Sequence, residues 1–411
     1  MVHVSIVIPV YNVEAWLPAC LDSVLGQTLR ELEVICIDDA SPDGCPAILD
    51  DYARRDPRVR VIHLPENHQQ GYGRNRGLEA AQGKYVYFLD SDDMITPDAM
   101  EKLFTLAERD RLDGIFFDSQ VLFESEELAK KNANYPDRRH GSYEDKVYTG
   151  QALFDAFIEQ QEWTCYVQRQ FWNRDFILRN DVWFPESTEH EDEFFPFKAL
   201  LLAQRARYVP ELFFIRRYRE NSVMTRPAHP KDFHGYFINY CRMIDFVESA
   251  GLKSRSIDLN IVHMYERMLR FYPLFAAQQD PDAWFQTEAE KARYRFFDYS
   301  QKAKIYYEEK LRAFDVVIPK TCQIWIYGAG IIGKRAFETM VNNGYLVQGF
   351  LVTSKAGNPD ILLGREVLPI SDVTLDENSV VVIAVSSGYH DEMRTVAEEK
   401  GWRYCFYPNG R

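Results

Sequence analysis

Short apolar runs recur through the first third of the chain, at Val4–Pro9, Glu33–Asp38, Val59–His63, Tyr85–Asp90 and Gly114–Leu122, each of a length suited to a buried strand. Between them, apolar positions return at helical spacing over Val13–Leu25, Cys45–Asp56, Gly73–Ala81 and Pro97–Arg109. Strands alternating with helices of this length predict an α/β fold, with a mainly parallel sheet and helices on both faces. Ligands of such sheets sit beyond the carboxyl ends of the strands. Four of those ends carry polar or turn residues: Tyr11-Asn12, Asp38-Asp39, His63 and Asp90–Asp93. They are expected to converge on one crevice.

The pattern changes downstream. Glu124–Gly150 is polar and poorly periodic, which reads as an excursion or flexible loop within the domain; regular patterning resumes at Gln151 and runs to about Thr225. Aromatic and charged residues at helical spacing then fill 231–315, at Tyr236–Glu248, Leu259–Phe271 and Lys302–Phe314. A strand signal restarts at Gln323–Tyr327, and Gly328-Ala329-Gly330-Ile331-Ile332-Gly333 follows at the mouth of a helix. Further strands read at Phe350–Thr353, Val380–Val385 and Trp402–Phe406. A glycine turn in that position is the context of a dinucleotide fingerprint, yet the acid expected about 20 residues on is missing. The division expected is an α/β domain over 1–225, a helical segment over 226–316 and a small Rossmann-like α/β domain over 317–411.

A chain of 411 residues exceeds one ordinary domain, in keeping with that division. Its net charge of −14 disfavours nonspecific binding to nucleic acid or to anionic lipid. The local stretch Arg216-Arg217-Tyr218-Arg219 is still compatible with a phosphate or a membrane surface. The cysteines at 20, 36, 45, 165, 241, 322 and 405 are scattered and lack any C-x-x-C pair. That pattern points to free thiols in a reducing compartment and away from a zinc site. Val4–Val10 is too short to span a bilayer and has no basic lead, and no other stretch approaches spanning length. The expectation is a cytoplasmic protein, compatible with peripheral contact at the inner face of the membrane.

The chemistry concentrates at Phe88-Leu89-Asp90-Ser91-Asp92-Asp93, where an apolar strand ends in three carboxylates over four positions. Carboxylates so close repel one another and must be solvated or neutralised. A divalent cation with oxygen ligands would neutralise them, and could clamp a diphosphate that the acids alone repel. An acidic loop, or caps for the helix near Pro97, is the plainer alternative.

Other motifs stand around this cluster in a fixed order: Val4–Asn12, then Leu21–Thr28, then Glu33-Val34-Ile35-Cys36-Ile37-Asp38-Asp39-Ala40-Ser41-Pro42-Asp43-Gly44, then Gly71-Tyr72-Gly73-Arg74-Asn75-Arg76-Gly77-Leu78. Taken together over residues 3–225, they resemble the family 2 glycosyltransferases, which have the GT-A fold. The resemblance implies that Asp39 accepts a hydrogen bond from the nucleotide base and that Tyr11, beside Pro9, packs on that base. An ordinary turn aromatic is the alternative for Tyr11. Arg74 is implied beside the diphosphate, against a plain surface-helix role. Asp92 aligns with the principal metal ligand, Asp90 with a contact to ribose or metal-bound water, and Asp93 with a loop-orienting role.

At Thr188-Glu189-His190-Glu191-Asp192-Glu193-Phe194-Phe195 the same resemblance makes Asp192 the catalytic base, with Glu191 supporting it. A helix N-terminus enriched in acids for its dipole is the competing reading. His190 reads as a packing or hydrogen-bonding neighbour. The stretch Phe213–Ser222 resembles an aromatic-Arg-x-x-x-Ser segment near the donor phosphates, which selects Arg219 and then Arg217. The family often has a histidine there; none occurs before His229, so a third metal ligand is unassigned. Trp163, Phe171 and Trp172 could stack on sugar rings, although helical spacing favours the core.

The function implied is metal-dependent, inverting transfer, with Mn or Mg as the cation. The sugar would pass from a nucleotide-diphospho-sugar, UDP-linked, to a hydroxyl of a glycan or lipid-linked acceptor in bacterial surface-polysaccharide synthesis. Two alternatives stand beside it: a sugar-nucleotide-binding scaffold, and a bifunctional chain whose C-terminal module has a separate nucleotide-dependent role. The intact acids weigh against the scaffold. The C-terminal block resembles modules appended to bacterial surface-polysaccharide glycosyltransferases, and docking or homo-oligomerisation is favoured for it over cofactor binding.

Overall fold

The computed structural model describes residues 2–132, 138–186, 188–219, 226–317, 320–376, 378–385 and 389–407. The chain folds as two compact units, Met1–Trp284 and Phe285–Arg411. In the first, β1 (Val4–Val10), β2 (Leu32–Asp38), β3 (Val59–His63) and β4 (Tyr85–Phe88) run parallel. The helices α1 (Leu17–Leu25), α2 (Cys45–Arg55) and α3 (Gln69–Ala80) connect them. Next come β5 (Met94–Ile95), α4 (Ala99–Asp110), β6 (Gly114–Phe123), α5 (Glu126–Lys131) and α6 (Gly150–Glu159). The unit continues through β7 (Gln170–Asn173), α7 (Arg174–Arg179), α8 (Phe194–Leu202) and β8 (Ala206–Tyr218) to α9 (Pro230–Ala250) and α10 (Arg255–Ala276). Its sheet has the order β3-β2-β1-β4-β7-β6-β8-β5, with β7 antiparallel to both neighbours and β5 antiparallel to β8.

Every residue of β1 is buried, as a central strand covered on both faces requires. Alternate residues divide between two cores: Val4, Ile6, Ile8 and Val10 enter one, and Val7 enters the other with Val86, Phe88 and Phe195. Pro9 is tolerated because β4 pairs with β1 only at Val4–Val7. The carbonyl of Val7 accepts the last bond from Leu89, so the absent N–H of Pro9, two residues on, would have faced no strand. Phe171 and Trp172 of β7 are fully buried on opposite faces, and Trp163 packs beside Trp172 in the second core. All three pack in the cores, but not at helical spacing: Phe171 and Trp172 alternate across strand β7, and Trp163 lies outside any helix.

The excursion after β6 is anchored. Arg139 lies buried, donating to Asp118 at 2.9 Å, and Arg169 donates to the same carboxylate oxygen at 2.8 Å. The excursion or flexible loop expected here is tied down at Arg139 by this buried charge cluster; residues 133–137 lie outside the described residues.

The second unit contains α11 (Glu288–Val317), β9 (Gln323–Tyr327), α12 (Ile331–Asn342), β10 (Leu346–Val352), β11 (Ile361–Leu362), β12 (Arg365–Pro369), β13 (Ser379–Ile383), α13 (His390–Glu399) and β14 (Tyr404–Phe406). Its sheet order is β11-β12-β10-β9-β13-β14, parallel except for β11. The glycine turn lies between β9 and α12, with Gly328 at φ +114. A Cβ on Gly333 would stand 1.8 Å from the carbonyl oxygen of Gly328, so the first turn of α12 closes only over glycine. The helices expected over 226–316 fall in both units, α9 and α10 in the first and α11 in the second. Among the described residues, no helix is long and apolar enough to cross a membrane.

Candidate active site

Strands β2, β1 and β4 are parallel neighbours, so their carboxyl ends deliver Asp39, Tyr11 and Asp90 to one sheet edge, spaced about 4.8 Å per strand. Tyr11 is 47% exposed there. Pro9 is buried, with Gly73 of α3 lying over it, so its side chain supports the strand end from beneath. Asp39 is buried, and its two oxygens each accept one backbone N–H, from His68 and Gln69, both at 2.8 Å. Burial pushes its carboxyl up, and those two N–H groups pull it back in part. Asp38 holds the turn by accepting from Ser41 N–H at 3.0 Å and pairing with the ring of His63 at 2.7 Å. Asn12, Ala40 and Gln69 all take positive φ at this edge. Such backbone costs about 1–2 kcal/mol per non-glycine residue and collects where function fixes a loop.

The three acids after β4 meet different partners. Asp90 accepts from Arg74 at 2.7 Å and from Gln168 at 2.5 Å, which uses both oxygens. Asp92 accepts from Nε of Arg219 at 2.8 Å. Asp93 is buried and accepts the backbone N–H of Arg217 at 2.7 Å. The β5–β8 pairing, with Met94 opposite Ile215, brings these arginines to the acids. Arg217 and Arg219 are two residues apart and share a face, whereas Arg216 lies over the ring of Tyr166 at 4.9 Å. Only Arg219 reaches an acid through its guanidinium; Arg217 meets Asp93 through its backbone N–H and directs Nε to the carbonyl of Asp92 at 3.0 Å, while the charge of Arg216 also lowers Asp93. The guanidinium of Arg219 rests on Trp16 at 4.2 Å, and Trp16 is held by Glu124 at 2.6 Å. Residues 220–225, including Ser222, lie outside the described residues.

Burial raises the carboxyls of Asp92 and Asp93, and the mutual repulsion of the cluster raises them further; Arg219 offsets part of this at Asp92. The repulsion that these arginines leave uncompensated suits a divalent cation with oxygen ligands. Asp92 has one oxygen not committed to Arg219, so the residues present fit such an ion. Among the described residues, the group that brings three possible ligand atoms within 4.8 Å of one another is a different one, Glu189, His190 and Asp232. There Arg226 already supplies the cation, donating to Asp232 at 2.7 Å and to Glu189.

The acidic loop Thr188–Glu193, which would hold the base, precedes α8. Arg74, whose side chain is 1% exposed, donates to both Glu191 and Asp90 and so bridges this loop to the acidic strand end. The resemblance implies a place beside a diphosphate; the fold commits the guanidinium to these two carboxylates. Gly71 permits the bridge, because a Cβ there would stand 2.3 Å from the carbonyl of Pro185. Asp192 is pushed up to about 7, first by burial and then by Glu191 and Glu193, against the pull of Arg74 and His190. A carboxylate with that proton affinity can take a proton from a hydroxyl near neutral pH. Glu193 is paired outward with Arg267 of α10 at 2.5 Å. Gln168, Trp16 and Arg267 carry no motif signal; they become visible only as partners of the acids.

The sequence profile of Glycosyl transferase family 2 matches residues 5–178. The chain is 32% identical over 264 residues to the uncharacterized glycosyltransferase EpsJ of Bacillus subtilis, covering 63% of this chain and 74% of that one. It is also 32% identical over 222 residues to the uncharacterized glycosyltransferase YibD of Escherichia coli, covering 54% of this chain and 63% of that one. Among solved structures, S. aureus TarS in complex with UDP-GlcNAc superposes with a TM-score of 0.50 at 21% identity, covering 66% of this chain and 73% of that one. The likeness to TarS establishes the fold.

Proposed function

Because the chain belongs to glycosyl transferase family 2 and is a glycosyltransferase, we propose that it moves a sugar from a UDP-linked donor to a hydroxyl acceptor with inversion. The observation that carries this reading is Asp192, a carboxylate tuned to about 7 and tied through Glu191 and Arg74 to the acidic strand end. Asp39 and Tyr11 would receive the base, since each oxygen of Asp39 keeps a lone pair beyond its backbone bond. Arg219 would face the diphosphate beside Asp92. Asp93, fixed by Arg217, orients the loop, and Asp90 is held by Arg74 and Gln168. Mn or Mg at Asp92 would neutralise the diphosphate as a Lewis acid.

In the reaction, Asp192 takes the acceptor proton as the hydroxyl oxygen attacks the anomeric carbon. The bond from that carbon to the diphosphate breaks on the opposite face, and the nucleoside diphosphate departs with its electrons. A positioned base contributes on the order of 10²–10⁴ in rate. UDP-GlcNAc bound to TarS supports a UDP-linked donor. The acceptor class we propose is a glycan or lipid-linked glycan of a bacterial surface polysaccharide, reached by peripheral membrane contact. The test is a panel of UDP-, GDP- and dTDP-sugars, scored by thermal stabilisation and by release of nucleoside diphosphate, with and without Mn. Stabilisation and turnover by UDP-sugars are expected; a panel without any response would contradict the donor reading.

A further inference from the structure

The base loop is gripped from α9, an element that no motif links to the chemistry. Asp232, in the first turn of α9, receives Nε2 of His190 at 3.1 Å. One turn on, Tyr236 stacks on the same ring, with centroids 4.2 Å apart and planes 10° from parallel. A further turn on, Asn239 donates Nδ2 to the carbonyl of His190 at 2.9 Å. Spacings of four and three residues put all three side chains on one stripe of the helix. Gly235 lies beside that stripe, and a Cβ on it would stand 2.1 Å from the carbonyl of Glu189. Glycine therefore sets how closely α9 approaches. His190 itself is at φ +60, a conformation costing about 1–2 kcal/mol outside glycine. Three independent contacts to one helix hold it there.

We propose that Asp232 is a positioning residue for the transfer reaction: from α9 it fixes the orientation of His190, and through that ring it sets the field at Asp192. The proposal rests on the reading of Asp192 as the base. Charged groups face the imidazole from every side. From α9 comes Asp232, and from its own loop come Asp192 and Glu193. Glu193 is drawn toward Arg267 of α10, and Glu189 toward Arg226, which also meets Asp232. Arg74 of α3 adds a second positive charge near Asp192. Burial disfavours the imidazolium, but the carboxylates outweigh it and raise the histidine above its ordinary value. In its protonated form the ring favours the ionised form of Asp192, the form that accepts a proton.

The full chain, labelled at histidine Cε1, tests this without any substrate. The His190 signal is identified by its loss in His190→Asn, a residue that tolerates positive φ, and is followed by NMR from pH 5 to 9. In the parent protein His190 should titrate above the free imidazole. In Asp232→Asn, which keeps an acceptor for the helix cap, its midpoint should fall by about one pH unit, the loss of one charge-assisted partner. Asp192→Asn should lower it as well, because the coupling is reciprocal. A His190 midpoint unchanged in Asp232→Asn, with folding intact, overturns the proposal. If that variant does not fold, a midpoint unmoved by Asp192→Asn overturns it instead. Near-normal turnover in Asp192→Asn would condemn the base assignment alone and leave the His190 titration to be judged separately.

Discussion

Replacing Arg74 by Met should be among the most damaging single changes in the first unit. The guanidinium is 1% exposed and is bonded to two carboxylates, Glu191 and Asp90, that come from segments far apart in the chain. Met fills much of the same volume, so little cavity forms, and the loss is electrostatic. Removing one partner of a buried ion pair costs about 3–5 kcal/mol, because a charge is stranded away from water. Glu191 is the carboxylate stranded here, since Asp90 is 24% exposed and still accepts from Gln168. A loss of about 3–5 kcal/mol at pH 8 is therefore expected. Urea unfolding followed by tryptophan fluorescence measures it. Arg74→Lys should fall between, since an ammonium keeps the charge without the two-armed fork. A loss below about 1 kcal/mol at pH 8 would refute the view that this arginine holds the site together.

Two further predictions concern the chemistry. UDP should bind at least about tenfold more tightly in Mn than in chelator, a difference of about 1.4 kcal/mol by calorimetry; equal affinity in the two, or metal-dependent affinity surviving Asp92→Ala, would contradict Asp92 as the metal ligand. Single-turnover rates should rise with pH through about 7, since Asp192 accepts a proton only when ionised and its proton affinity is raised to about 7. Below that limb the rate should drop about tenfold per pH unit, and a flat profile down to pH 5 would exclude Asp192 from the rate.

Much of this was legible from local pattern. The strands β1 to β4 and their order of polar ends follow from short apolar runs, and the runs of acids announced themselves because no core accommodates them. What the sequence could not supply is who meets whom. Arg74 and Glu191 are 117 residues apart, and Gln168 and Asp90 are 78 apart. Their meeting depends on β7 inserting antiparallel between β4 and β6, which no local signal announces. The doublet Arg216-Arg217 leaves the register ambiguous in sequence, and only the β5–β8 pairing shows that Arg217 meets Asp93 through its backbone N–H while Arg219 reaches Asp92 through its side chain. The helices α9 and α10 read as a helical segment rich in aromatic and charged residues, and only their packing shows that Asp232 and Arg267 reach the loop of Asp192.

The central claim is that Asp192 is the base of an inverting transfer, and Asp192→Asn tests it most directly. Asparagine keeps the shape and most hydrogen bonding but cannot take the proton. Once the panel has supplied a donor and an acceptor, single-turnover transfer is measured beside donor affinity for the same variant. Transfer should fall by about two to four orders of magnitude, near 3–5 kcal/mol of barrier, with donor affinity unchanged. Near-normal turnover in Asp192→Asn would contradict the account and pass the role to Glu191 or Glu189.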